Sequence, residues 1–192
     1  KPAIAFIIEE FAAAGIRDVL IVTSRRKKAL DDYFDREIEL ETVFIKEGRA
    51  KLLAAIAPPD MNILFARQQA MRGTGDALLL AEAFAAGGPI CVAYPDDLVL
   101  GADPLAAQLM RAATGPDECV LGVMPVPRQD VCRYGIIAPG RDMRVESVIE
   151  KPPVEKAPSE LAIIGRFILP SAIFPLLHAE RDKNPAGEFY HI

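Results

Sequence analysis

Apolar positions follow two different periods along this chain of 192 residues. Near the start, Ile4, Ile7, Ile8 and Phe11 recur at helical spacing, and Gly15 ends that helix. Short apolar runs rich in β-branched residues predict strands instead. Strands are predicted at 18–23, 62–68, 89–93, 118–124, 134–138, 144–151 and 161–169. Further helices are predicted at 24–34, 37–56, 73–84 and 103–113 and from residue 171.

Helices and strands that alternate at this spacing predict an α/β fold with a doubly wound, mostly parallel, Rossmann-like sheet. The length allows one sizeable core, so we expect a single domain over 1–192. The charged and proline-rich region 139–160 is expected to form a small β insertion. Because the first helix opens the chain and no closing element follows 187–192, we expect both ends to belong to a longer native chain.

Charge and cysteine usage exclude several classes of protein. The net charge is −5, and the basic residues are thinly spread, which argues against nucleic-acid binding. No apolar stretch reaches the ~18 residues that a membrane span needs. The three cysteines lack metal-type spacing, and a disulfide-poor chain indicates a reducing compartment, the cytoplasm. Cys91 and Cys119 lie in apolar runs and are expected to be buried thiols.

Two adjacent carboxylates, Asp96 and Asp97, stand where the apolar run 89–93 ends. So apolar a run predicts a strand covered on both faces, as in a parallel sheet, and ligands bind at the carboxyl edge of such sheets. A carboxylate pair suits a hard divalent cation, and such a cation suits phosphate. The alternative is that one aspartate merely caps the following segment, which for an isolated pair is the better explanation.

Polar residues and glycines follow the strand predicted at 62–68. Gln68 lies at its end, and Gly73 and Gly75 open the next helix. Glycines at such a point let the backbone approach a flat or anionic ligand. Taken alone, they are better explained by a tight turn between the strand and the helix.

A second group of candidate residues lies further along the chain. Gly135 begins a strand, where glycine marks either a bulge or a close approach by a ligand. Glu150 and Lys151 follow the apolar pair 148–149. Lys151 could hold a phosphate as a point charge, and Glu150 could accept hydrogen bonds from sugar hydroxyls. The alternative for these two is a solvated charge pair before a proline turn.

Taken in order, these segments resemble the family of bacterial UTP–glucose-1-phosphate uridylyltransferases, within the wider sugar-1-phosphate nucleotidylyltransferases. The resemblance extends along nearly the whole chain, and its specificity lies in the ordered set of motifs rather than in any one of them. The matching segments are 1–4, 9–10, 14–16, 21–23, 67–68, 73–75, 95–98, 133–137, 150–152, 157–159 and 161–166.

The resemblance implies a role for each candidate on the nucleotide side. Gln68 and the backbone of Gly73 would recognise uracil, and Asp96 would hold a Mg²⁺ ion that bridges the phosphates. The sugar phosphate would attack the α-phosphorus of UTP in line, giving UDP-glucose and pyrophosphate. Such a reaction needs no protein nucleophile, because positioning and charge stabilisation supply most of the catalysis.

On the sugar side, the resemblance implies that Gly135 and Glu150 contact the glucose ring of glucose 1-phosphate. Lys151 would bind the phosphate of that substrate. The resemblance also implies a homodimer or homotetramer.

Departures from the family leave alternatives open. The family's N-terminal glycine-rich loop and a later metal-binding aspartate lie outside this chain. Asp76 stands where the family has a histidine, which leaves the base preference open, and segment 188–192 lacks a glutamine that the family has. The chain could use another nucleotide, such as dTTP or ATP, or another sugar 1-phosphate. It could also be a non-catalytic relative that senses nucleotide sugars or sugar phosphates.

Overall fold

The computed structural model describes residues 1–25, 27 and 29–183, so segment 188–192 lies outside the described residues. The chain divides into two compact units, one formed by 1–10 with 89–170 and the other by 11–88 with 171–192. The helices are α1 (Ala3–Ala13), α2 (Ala29–Phe34), α3 (Ile38–Lys46), α4 (Ala50–Ile56), α5 (Thr74–Leu79), α6 (Glu82–Ala85), α7 (Leu105–Ala112) and α8 (Ile173–Lys183). The strands are β1 (Asp18–Thr23), β2 (Asn62–Arg67), β3 (Ile90–Ala93), β4 (Val120–Pro125), β5 (Gly135–Pro139), β6 (Val145–Glu150) and β7 (Leu161–Leu169).

The unit formed by 11–88 and 171–192 contains a parallel pair of strands, β1 and β2, which run in register from Asp18↔Asn62 to Thr23↔Arg67. Alternate residues of β1 are buried, as expected for a strand with one face on a core. Parallel strands need a long crossover connection, and α2, α3 and α4 lie within it. The pairing continues one residue further, because the Gln68 amide donates to the Thr23 carbonyl at 3.0 Å.

The unit formed by 1–10 and 89–170 contains a five-stranded sheet in which β7 pairs with β3, β4 and β5, and β6 pairs with β5. All of these pairings are antiparallel. The α/β class is confirmed, but the expectation of mostly parallel pairing is wrong for this sheet. The residues of β3 are only partly buried, and an apolar run such as 89–93 does not by itself determine the direction in which the strand pairs.

The predicted insertion at 139–160 contains β6, which forms a hairpin with β5 and is exposed along its whole length. Beneath β5, an apolar cluster anchors the hairpin. It consists of Val126, Val131, Ile136, Ala157 and Ala162, with Tyr134 packed against it. Gly135, at the start of β5, and Glu150, at the end of β6, are therefore held as register partners.

The cysteines divide into one that is partly buried and two that are exposed. Cys91 lies on β3, and burial raises the pKa of its thiol to about 12, so it is protonated at neutral pH. The expectation that Cys119 is buried is wrong, because this residue precedes β4 and lies outside the sheet. No helix within the described ranges is long and apolar enough to cross a membrane.

Candidate functional site

The turn after β3 is fastened to β7 by backbone and side-chain hydrogen bonds. The Tyr94 amide donates to the Gly165 carbonyl at 2.8 Å, and the Gly165 amide donates to Asp97 Oδ2 at 2.6 Å. Asp96 is exposed, and no residue in the described ranges bonds to its carboxylate. The adjacent carboxylates therefore differ in role: Asp97 closes the turn, while Asp96 is available to a ligand.

Gly165 is the residue that allows this close approach. A methyl group at this position would lie 2.5 Å from Tyr94 Cβ and 2.8 Å from Asp97 Oδ2. The contact with Tyr94 Cβ could be relieved only by moving the backbone of the turn, because that atom is attached directly to Cα. The turn that carries Asp96 thus depends on a glycine in the neighbouring strand.

A buried ion pair between Arg166 and Glu10 also contacts this turn. Arg166 is 1% exposed, and its guanidinium makes two bonds to Glu10, from Nε to Oε1 at 3.1 Å and from Nη2 to Oε2 at 2.8 Å. Arg166 also donates to the carbonyls of Gly165, at 2.9 Å, and Asp97, at 3.2 Å. Glu10 accepts a further bond from the Ala106 amide at 3.0 Å. This network fixes α1, α7, β7 and the turn relative to one another.

Neither Arg166 nor Glu10 was a predicted site residue, although both lie in segments that carry the family resemblance. One signal was present, because Arg166 is the only charged residue in the apolar run 161–169. Charged side chains are almost never fully buried unless they are paired. A lone arginine in a buried strand therefore predicts an acidic partner, but it does not identify which one.

The Asp96 carboxylate suits a metal ion whose other ligands come from a bound substrate and from water. Within the described residues, no group of three or more His, Cys, Asp or Glu side chains could hold an ion by itself. Mg²⁺ does not require such a cage, because it keeps several waters and is bound through one or two carboxylates together with substrate phosphates. The Asp96 carboxylate, to which no residue in the described ranges bonds, fits that mode of binding.

The structure brings together the three residues predicted for the sugar phosphate. A methyl group on Gly135 would lie 3.0 Å from Glu150 Oε2, so glycine leaves the space beside that carboxylate open. Lys151 follows directly, with Nζ 3.5 Å from Glu150 Oε1 and its side chain 64% exposed. A bare backbone, an acceptor and a cation therefore lie side by side at the end of the β5–β6 hairpin.

Lys151 also has an unusual backbone conformation. Its φ is +47°, in the left-handed region, although it is not a glycine and it precedes Pro152. The Lys151 amide donates to the Tyr134 carbonyl at 2.9 Å, and Pro152 is fully buried, so both neighbours hold the residue in place. Such local strain is concentrated at functional sites, which favours a functional role for this lysine.

The residues predicted for the nucleotide base, Gln68 and Gly73, are in direct contact. Gln68 Nε2 donates to the Gly73 carbonyl at 3.1 Å and to Asp76 Oδ2 at 2.9 Å. Gly73 has a φ of +96°, a conformation that strongly favours glycine, and it precedes α5. Asp76 was noted in the sequence as a departure, and the structure places it as a partner of Gln68.

Two curated bacterial proteins are similar to this chain. A UTP–glucose-1-phosphate uridylyltransferase of Streptococcus pneumoniae serotype 4 is 42% identical over 97% of this chain, and one of Streptococcus pyogenes is 41% identical over 97%. The chain spans 65% and 64% of the length of these two relatives.

The chain is also similar to solved structures of UDP-glucose pyrophosphorylases, and it matches a model of a protein family. A UTP-bound UGPase from Acinetobacter baumannii has a TM-score of 0.83 and 30% identity, covering 93% of this chain and 66% of its own. A UDP-glucose pyrophosphorylase complexed with UDP-glucose has a TM-score of 0.76 and 32% identity, covering 93% and 67%. The family model described as nucleotidyl transferase matches residues 1–191. The chain therefore belongs to the nucleotidyl transferase family.

Proposed function

We propose that the protein transfers a uridylyl group from UTP to glucose 1-phosphate, giving UDP-glucose and releasing pyrophosphate. The observation that carries this proposal is the exposed Asp96 carboxylate, held on a turn that Asp97 and Gly165 fasten to β7. The similarity to uridylyltransferases, and to a solved relative bound to UTP and another complexed with UDP-glucose, supports the choice of substrates.

In this reaction a phosphate oxygen of glucose 1-phosphate attacks the α-phosphorus of UTP, and the bond to the pyrophosphate leaving group breaks. The main obstacle is repulsion between two anionic substrates. Asp96 is the residue that would hold Mg²⁺, and the bound ion supplies neutralisation of charge on the phosphate oxygens. No side chain has to form a covalent intermediate, so the protein acts by orienting both substrates.

The end of the β5–β6 hairpin would position the acceptor substrate. Glu150 accepts hydrogen bonds from sugar hydroxyls, and the missing side chain of Gly135 leaves room for the ring beside it. Lys151 holds the phosphate through its exposed ammonium group. Gln68 and the backbone of Gly73 would read the base of UTP.

Replacing Lys151 with alanine is expected to raise the KM for glucose 1-phosphate about tenfold or more, because a charge-assisted contact to the phosphate is lost. The KM for UTP should change much less, and steady-state kinetics with each substrate varied in turn measures both. Lys156→Ala, in the nearby exposed turn Val154–Lys156, is the matched control and should change neither constant. Equal increases in both KM values for Lys151→Ala would contradict the assignment.

A pyrophosphate-release screen tests the proposed function itself. The native protein is assayed with four nucleoside triphosphates against several sugar 1-phosphates, with and without Mg²⁺. The largest rate is expected with UTP and glucose 1-phosphate, and only when Mg²⁺ is present. A higher rate with dTTP, ATP or a different sugar phosphate would replace the substrate assignment. Nucleotide-sugar binding without turnover in any combination would identify a non-catalytic relative.

Two further expectations accompany this function. The family resemblance supports a homodimer or homotetramer. The three free cysteines, Cys91, Cys119 and Cys132, support a reducing compartment such as the cytoplasm. Both stay predictions.

A further inference from the structure

The orientation of the Gln68 amide is fixed by the chemistry of its neighbours. An amide group can be turned by half a rotation, which exchanges its donor nitrogen for its acceptor oxygen. Here both neighbours, the Gly73 carbonyl and the Asp76 carboxylate, are acceptors, at 3.1 and 2.9 Å. Only the NH₂ group of Gln68 can donate a hydrogen bond to each of these acceptors. Both of its hydrogens are therefore used in bonds within the protein.

The polar atom that remains for a ligand is Gln68 Oε1. It receives no hydrogen bond from any residue in the described part of the chain, and Gln68 is only partly buried. Oε1 is an acceptor, so it suits a base edge that presents a donor. Uracil and thymine carry such a donor at N3, the N–H of their imide, whereas cytosine has an acceptor at N3 and carries its donor on the exocyclic N4 amine instead.

Asp76 matters because a carboxylate accepts hydrogen bonds and does not donate them when ionised. The histidine that the family resemblance places at this position can donate or accept, and would leave the Gln68 orientation less strictly defined. Asp76 is partly buried at the first turn of α5, where its bond to Gln68 spans eight residues of sequence. It links the first turn of α5 to Gln68, which directly follows β2.

We propose that Asp76 is a positioning residue that makes this protein selective for pyrimidine nucleotides with an N3–H, acting through the oriented amide of Gln68. The inference rests on the proposed function, because it takes Gln68 as the residue that meets the base. Asp76 itself does not contact the nucleotide. Its effect is to present Oε1, and to keep the amide nitrogen away from the ligand.

Equilibrium binding tests the proposal without requiring turnover. Titration calorimetry with Mg²⁺ gives the dissociation constants of UTP and CTP for the wild-type protein, Asp76→Ala and Asp60→Ala. Wild type is expected to prefer UTP at least ~10-fold, and Asp76→Ala to reduce this preference ~5-fold or more, since one oriented hydrogen bond is lost. Asp60→Ala removes an exposed acid from the same unit and should leave the preference unchanged.

A second pair of variants keeps the test decisive if Asp76→Ala folds poorly. Gln68→Glu places a carboxylate opposite Asp76 and should weaken UTP binding strongly. Adding Asp76→Asn supplies a donor to one oxygen of the introduced carboxylate and leaves its other oxygen for the base. The double variant should therefore recover UTP affinity ~5-fold or more over Gln68→Glu alone. Thermal unfolding of each variant accompanies the titrations.

The outcomes separate the two proposals. A UTP preference that Asp76→Ala leaves within ~2-fold of wild type, or losses that simply add in the double variant, would overturn the positioning role. Selective UTP binding that depends on Asp76, in a protein without pyrophosphate release, would support the positioning role and refute catalysis. Absence of binding by both nucleotides in the wild type would overturn both proposals.

Discussion

Replacing Arg166 with methionine is expected to lower the free energy of unfolding by about 3–5 kcal/mol. Arg166 is 1% exposed and the side chain of its partner Glu10 is 7% exposed, so the substitution leaves a buried carboxylate without its cation. Two backbone carbonyls, of Gly165 and Asp97, lose a donor as well. Urea unfolding followed by circular dichroism measures the change, provided that the slope with denaturant stays constant.

The helix that carries Glu10 also supplies the matched control. Glu9 precedes it in α1 and pairs with Lys1, but its side chain is 64% exposed. Exposed ion pairs contribute about 0–1 kcal/mol, so Glu9→Gln should have little effect. The double variant Glu10→Leu/Arg166→Met should recover much of the loss, because it removes both buried charges together. A cost for Arg166→Met no larger than that for Glu9→Gln would contradict a structural role for the buried pair.

The sequence predicts where the strands lie better than it predicts the direction in which they pair. The positions of β1 and β2 follow from short apolar runs with β-branched residues, and the structure contains both strands where they were expected. The pattern did not encode pairing direction. The apolar run that forms β3 is compatible with either direction of pairing, and β3 pairs antiparallel with β7.

The candidate site was predicted to a similar depth. The segment with Asp96 and Asp97 was predictable from the sequence, because two adjacent carboxylates follow directly after an apolar run. The sequence did not distinguish the roles of the two aspartates. The distinction depends on the hydrogen bond from the Gly165 amide to Asp97, which joins residues far apart in the chain. Glu10 and Arg166 lie 156 residues apart in the chain, and no local pattern reports such a pairing.

The sugar-phosphate residues illustrate the opposite case. Gly135 and Glu150 were proposed from separate segments, and the register of β5 and β6 makes them partners. The left-handed conformation of Lys151 could not be foreseen, because a residue before proline normally adopts an extended conformation. The resemblance to a known family supplied the roles of these residues, and the hairpin supplies their proximity.

Asp96→Asn is expected to reduce Mg²⁺-dependent pyrophosphate release about a thousandfold, since a metal ion at a phosphoryl group contributes several kcal/mol to the reaction. The amide keeps the size of the side chain but loses the charge that would hold the cation. The fold should be unchanged, because Asp96 is exposed and bonds to no residue in the described ranges. The kcat with UTP and glucose 1-phosphate, measured across Mg²⁺ concentrations, gives the effect.

The neighbouring acid provides the comparison for that experiment. Asp97→Asn keeps an oxygen that can accept from the Gly165 amide, so the turn should remain closed and the loss of kcat should be far smaller than for Asp96→Asn. The two variants remove the same charge from adjacent positions, and therefore differ mainly in which carboxylate reaches the metal. Near-normal turnover by Asp96→Asn, or a larger loss of kcat for Asp97→Asn, would show that Asp96 does not bind the metal. The proposed function would then lose the observation on which it rests.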